Sequence, residues 1–253
     1  MDLITKNGRD SVAGLLAGWE ETMLWSYLQG FHGKGWADDP NFPGSAQVWV
    51  GDFCFFAGRP ELELVRNIPP GSGFVLLVPQ NAGWMDLIEH CYGQACKKIV
   101  RYAFWKEPDA FTEERLWGYV RSLPGKYELR QIGKELYETA QKYAWSRDFC
   151  SQFKTYEAYR KYGLGFAAVC SGELVGGASS YTRYCSGIEI EVDTREDFQR
   201  RGIALACASR LILECRRLGL YPSWDAANLQ SVALAEKLGY RLKGGYTAYE
   251  LYL

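Results

Sequence analysis

Six consecutive residues, Gln199-Arg200-Arg201-Gly202-Ile203-Ala204, have the types and spacing of an anion site. They follow an alternating segment, Ile188-Glu189-Ile190-Glu191-Val192-Asp193, and lead into an apolar run that begins at Ile203. A strand that passes through a basic, glycine-containing turn into a helix presents amides with no intrahelical partner, reinforced by the helix dipole. Gly202 has no Cβ to hold a ligand away from the backbone, and Arg200 and Arg201 suit phosphate. A pyrophosphate is a fitting guest, while a solvated helix start would use the same residues. On the preceding strand, Glu189 and Glu191 share one face and Ile188, Ile190 and Val192 the other. Carboxylates there would take a proton from an ammonium, directly or through water, or bind a cation; a solvated strand face is the alternative.

Downstream, Trp224-Asp225-Ala226-Ala227-Asn228 is followed by Ser231 and a helical stretch ending in Leu238-Gly239-Tyr240. The succession is strand, Gln-x-x-Gly-x-Ala turn, helix, short strand, Asn-x-x-Ser, helix and Leu-Gly-Tyr. It resembles the acyl-CoA-binding half of the GNAT superfamily of N-acetyltransferases, most densely from Phe166 to Tyr240. The wording Trp-Asp-Ala-Ala-Asn-x-x-Ser is most similar to a bacterial subfamily that includes zwittermicin A resistance-type proteins.

The resemblance implies an α/β (α+β) fold with a mixed, splayed central sheet flanked by helices, acetyl-CoA as cofactor and no metal. In that fold the fourth strand bulges away from the fifth, leaving a free amide for the thioester oxygen. By resemblance this falls near Val192, with Asp193 and Thr194 pairing with the pantetheine arm. Gln199, Arg200, Arg201, Gly202, Ile203 and Ala204 would take the pyrophosphate, and Asn228 and Ser231 the pantetheine, although an asparagine at a helix start is also a favoured cap. An oxyanion donor of this kind is worth about 3 kcal/mol. Glu191, nearer the expected bulge, is the first candidate for the base, and Glu189 the second. Many members place a tyrosine seven residues after the asparagine to protonate the thiolate, and here that position is Ala235. Ser231, Tyr240 or a tyrosine of the closing strands would substitute, or a thiolate with a pKa near ~8.5 leaves unaided. Trp224 and Asp225 read as a short buried strand and a loop-ordering carboxylate.

The activity implied is transfer of acetyl from acetyl-CoA to a primary amine of a small molecule by direct attack on the thioester. The missing tyrosine and the long N-terminal part motivate an alternative, a non-catalytic acyl-CoA-binding regulatory module. Aminoacyl transfer from a charged tRNA is a third use of paired domains of this kind, and the charge balance counts against it.

These elements sit in a chain of 253 residues, enough for one large domain or two small ones. A formal net charge of −1 argues against a nucleic-acid partner bound by bulk electrostatics. No apolar run approaches the ~20 residues of a membrane helix, and the N-terminus lacks the pattern of a secretory signal. The 8 cysteines show no Cys-x-x-Cys spacing, so reduced buried thiols and a cytoplasmic location are expected. With only 2 histidines, a Ser-His-Asp triad or a histidine-rich metal site is disfavoured. A homo-oligomer is left open.

The turn cluster Ser122-Leu123-Pro124-Gly125-Lys126 divides a smaller α/β N-terminal domain, 1–123, from an acetyltransferase domain, 124–253. The first part is expected to hold a hairpin at Gly51-Asp52, a buried strand at Phe74–Pro79, and helices at Met85–Tyr92 and Thr112–Arg121, the latter capped by Thr112. Its tryptophans, from Trp19 to Trp117, read as core. In some GNAT families such a unit is a degenerate copy of the same fold. The second part is expected to run from a strand at Tyr127–Ile132 through helices at Lys134–Trp145 and Thr155–Tyr162. A hairpin at Ser171-Gly172, the 188–193 strand, a helix at 203–217 and closing strands from Tyr240 follow.

Overall fold

Apolar and β-branched runs set the strands of this protein, and residues that tolerate positive φ set the turns between them. The computed structural model describes residues 1–69 and 71–253, setting aside the side chains of Lys6 and Asn7. The chain forms two units, Met1–Arg101 with Gly245–Leu253, and Tyr102–Gly244, both built of mixed sheets flanked by helices.

The first unit runs β1 (Asp2–Leu3), α1 (Ala13–Leu16), α2 (Thr22–Leu28), β2 (Lys34–Ala37), β3 (Ser45–Val50) and β4 (Phe53–Gly58). It continues with α3 (Leu62–Arg66), β5 (Phe74–Pro79), α4 (Ala82–Tyr92) and β6 (Cys96–Phe104), whose last residues belong to the second unit. Gly51, at φ 59°, makes the expected hairpin, with Val50 opposite Phe53. β5 lies parallel to β4, and Val75, Leu77, Trp84 and Ile88 fill the core beside it.

The second unit runs α5 (Glu113–Ser122), β7 (Tyr127–Gln131), α6 (Lys134–Ala140), α7 (Tyr156–Tyr162), β8 (Gly165–Cys170), β9 (Glu173–Tyr184) and β10 (Gly187–Thr194). Then come α8 (Ile203–Arg217), β11 (Tyr221–Ser223), β12 (Asp225–Ala226), α9 (Leu229–Leu238) and β13 (Leu242–Tyr252). β7 to β10 form an antiparallel run, and β11 joins parallel to β10. The end of β13 returns to the first unit, where Tyr249–Tyr252 pair antiparallel with β5.

Each unit therefore repeats one order. Three antiparallel strands end in β4 or β10, a helix crosses over, a parallel strand follows as β5 or β11, and a second helix follows as α4 or α9.

Five local expectations change. α6 stops at Ala140 rather than Trp145, where the Ser146 hydroxyl donates to the Ala140 carbonyl at 2.8 Å and diverts it from the helix ladder. Thr112 occupies the cap position of α5 without a capping hydrogen bond; its hydroxyl meets Arg115 instead. The closing segments are one strand, β13. The turn at Ser122–Lys126 lies inside the second unit, because Phe111 and Leu116 pack with Leu211 and Ile212 of α8. Trp105 and Trp117, read as core, stand 39% and 37% exposed in this unit.

Candidate functional site

β10 is longer than the strand beside it. β11 pairs with it only from Gly187 to Glu189, and β10 runs on to Thr194. Pro222 leaves β11 one donor short, and the chain turns away at Trp224. The sheet thus opens just past Glu189, earlier than the expected position near Val192. The register break lies between Glu189 and Ile190, and the extra residue is Tyr181 on β9 rather than one on β10. Tyr221 N–H donates to the Ser186 carbonyl, so alternation turns the backbone groups of even-numbered β10 residues toward the β11 edge. Val192 carries an amide on that edge beyond the end of β11.

A cavity of about 630 Å³ fills the opening. Val192, Asp193 and Thr194 form one wall; Gln199, Arg200 and Gly202 form its turn. Ile203, Ala204 and Leu205 bring the first turn of α8, while Trp224, Asn228 and Ser231 close the far side. Of the proposed cofactor residues, only Arg201 lies off this lining.

The turn is shaped without a ligand. Arg200 and Gly202 have φ of 59° and 80°, with Arg201 outside the positive region between them. Such alternation aims successive amides to one side and makes an anion-binding concavity. Gly202 caps α8 without a side-chain acceptor, so the first-turn amides stay available, and a Cβ at Gly202 would meet nothing within 4 Å. Arg201 turns outward, donating to the Asp197 carbonyl at 2.7 Å and lying over the Phe198 ring at 4.9 Å. Arg195 covers the same ring at 4.5 Å and pairs with Glu173 and Asp197. Gln199 donates to the Thr194 carbonyl at 3.4 Å, tying turn to strand.

Asn228 is a helix cap: its side-chain oxygen accepts from Ser231 N–H at 2.9 Å. The indole N–H of Trp224 donates to Ser231 Oγ at 3.1 Å, so Trp224, read as buried strand, is cavity wall as well. Gln230, Leu234 and Lys237 also line the cavity and were missed; their mutual i, i+4, i+7 spacing along α9 was the available signal.

Glu189 and Glu191 do not line this cavity. Ile188 and Ile190 face α8 in the core, which sends the glutamates and Asp193 to the opposite face. Glu189 is 6% exposed, and its charge is felt by Tyr184, Tyr221 and Tyr240. Burial pushes the Tyr221 phenol up to about 12, with Glu189 and Glu107 adding to the rise. Burial also raises the Asp193 carboxyl, opposed by the Thr194 amide at 2.6 Å and reinforced by Asp148. Tyr240 is buried and donates to the Pro222 carbonyl at 2.6 Å, which removes it from the cavity chemistry. Ala235 is fully buried. Among the described residues, no group of three His, Cys, Asp or Glu is placed to hold a metal ion, and no helix is long and apolar enough to cross a membrane.

These features fit an acyl-CoA: a slot beside an open strand edge, an amide concavity, and a cation at the turn. A family model described as GNAT acetyltransferase matches residues 13–249. The chain is 24% identical over 243 residues to YdfB of Bacillus subtilis strain 168, an uncharacterized N-acetyltransferase, covering 90% of this chain and 89% of that protein. It is 43% identical to a GCN5-related N-acetyltransferase-like protein from Streptococcus suis 89/1591, whose crystal structure superposes with a TM-score of 0.93, covering 97% of this chain and 98% of that one. A tandem GNAT protein from the clavulanic acid biosynthesis pathway shares the fold, with a TM-score of 0.62 at 10% identity, 99% of this chain and 98% of that one being covered. With the splayed strand pair, the amide concavity and a family match over most of its length, this chain belongs to the GNAT acetyltransferase family and is an N-acetyltransferase.

Proposed function

We propose that this protein transfers acetyl from acetyl-CoA to a primary amine of a small molecule. The observation that carries the reading is the single cavity joining the open edge of β10, the 199–204 turn and the Asn228 cap. Acetyl-CoA supplies the acetyl group as a thioester, an activated acyl donor. The amides of 200–204 and the Arg200 side chain bind the pyrophosphate, and Asp193, Thr194, Asn228 and Ser231 orient the pantetheine arm. The Val192 N–H offers a donor where an oxyanion would form. Glu191 accepts the proton of the acceptor ammonium at its carboxylate, with Glu189 as the reserve candidate. Ser231, which lines the cavity wall, takes the place of the usual tyrosine as proton donor. The free thiols of all 8 cysteines suit a reducing cytoplasm. The repeated strand order supports reading the first unit as a degenerate GNAT-like copy, and the wording from Trp224 to Ser231 supports a zwittermicin A resistance-type relationship.

Steady-state turnover of acetyl-CoA over a panel of polyamines, aminoglycosides and amino acids tests this. Glu191→Gln is expected to lower kcat by about 10²-fold or more with cofactor affinity retained. An unchanged kcat would remove Glu191 from the role.

The buried Ala235 and the committed Tyr240 hydroxyl favour a second reading, a non-catalytic acyl-CoA-binding module. Release of free CoA with any amine in the panel eliminates it.

A further inference from the structure

Two cationic residues line the cavity, Arg200 at the turn and Lys237 in the last turn of α9. Neither forms an ion pair among the described residues, whereas Arg195 and Arg201, nearby in sequence, are tied down by Asp197. Gln230, Leu234 and Lys237 lie along one face of α9, so this wall extends for about 10 Å from Gln230 to Lys237. The side chain of Lys237 is exposed at its end, and only its backbone carbonyl is engaged, by the Tyr119 hydroxyl at 3.3 Å.

Coenzyme A carries one phosphate beyond the pyrophosphate, a 3′-phosphomonoester on its ribose with close to two negative charges at neutral pH. Once the turn and Arg200 hold the pyrophosphate, Lys237 is the cation left on the lining. We infer that Lys237 recognises the 3′-phosphate, so that the protein discriminates coenzyme A from its 3′-dephospho form. The inference rests on the acyl-CoA reading and deepens it: Arg200 serves any pyrophosphate, and Lys237 serves this cofactor.

Calorimetric titration of the full chain with acetyl-CoA and with acetyl-3′-dephospho-CoA separates the two. The native protein is expected to bind acetyl-CoA about tenfold more tightly. Lys237→Met should erase that preference by weakening acetyl-CoA alone, and Lys237→Arg should keep most of it. Arg200→Met should weaken both ligands by the same factor. A native protein with no preference, or a Lys237→Met variant that loses both ligands equally, overturns the assignment and leaves Lys237 as a complement to the C-terminal dipole of α9. If the native protein binds neither ligand, the acyl-CoA reading itself falls.

Discussion

The two units share a strand order but differ at the place where the second keeps its cavity. In the second unit Asn228 caps α9 and Ser231 follows it onto the cavity wall. In the first, Asn81 caps α4 by accepting from Trp84 N–H, so Trp84 holds the position that Ser231 holds after Asn228. An indole has replaced a hydroxyl. Trp84 is fully buried, and its ring N–H donates to the Gly58 carbonyl at 3.0 Å. Asn81 reaches the same carbonyl, and Gly58 N–H donates to Gln80. The end of β4 is thereby sewn to the start of α4, where the end of β10 stands open.

The turns differ as well. Gly58-Arg59-Pro60-Glu61 leads into a helix of 5 residues, Pro60 has no N–H, and Glu61 and Glu63 bring negative charge where a phosphate would sit. Arg59 is paired with Asp38. On the face where β10 carries Glu189, Glu191 and Asp193, β4 carries Phe53, Phe55 and Ala57. One backbone plan thus yields a packed unit or a unit with an open cavity according to a few side chains at the mouth of the splay.

Three substitutions would break or sharpen this contrast. Trp84→Ala removes the plug and should cost about 3–5 kcal/mol in urea unfolding while calorimetry still finds one acetyl-CoA per chain. A second binding event would mean that the first unit is masked rather than unfit. Ser231→Trp imposes the first unit's plug on the second and should weaken acetyl-CoA by about a hundredfold with little loss of stability. Retained affinity would show that the slot lies elsewhere.

The smallest effect concerns Asp193. Its carboxyl is raised by burial, so ionisation is penalised in the folded state. That penalty is absent below the ordinary aspartate range, grows as pH rises through the raised value, and is complete above it. Asp193→Asn should therefore be more stable than the native chain at pH 7, with an advantage that shrinks toward pH 4. Urea midpoints at the two pH values measure it, and an advantage constant with pH would refute the burial argument.

Periodicity explains what could be read in advance. The alternation at 188–193 and the apolar helix at 203–217 depend on neighbours in sequence, and both elements form within a residue of the expected bounds. The proposed cofactor residues from Val192 to Ser231, Arg201 apart, converge on one cavity for the same reason, since strand, turn and cap are local. What could not be read depends on distant partners. Nothing in Arg200-Arg201 says which side chain faces the slot; that follows from φ at Arg200 and from the carbonyl of Asp197. The role of Trp84 depends on a glycine 26 residues away, and that of Trp224 on where β11 gives out. The end of α6 was set by one serine hydroxyl beyond the helix.

The passage of β13 bears on how the protein is made. The first unit consists of Met1–Arg101 and Gly245–Leu253, so its sheet cannot be completed beside β5 until the whole of Tyr102–Gly244 has been synthesised. Domains commonly fold in order as the ribosome releases them. Here the earliest segment must wait, with the edge of β5 unpaired and open to other strands, while the later one is in a position to fold ahead of it.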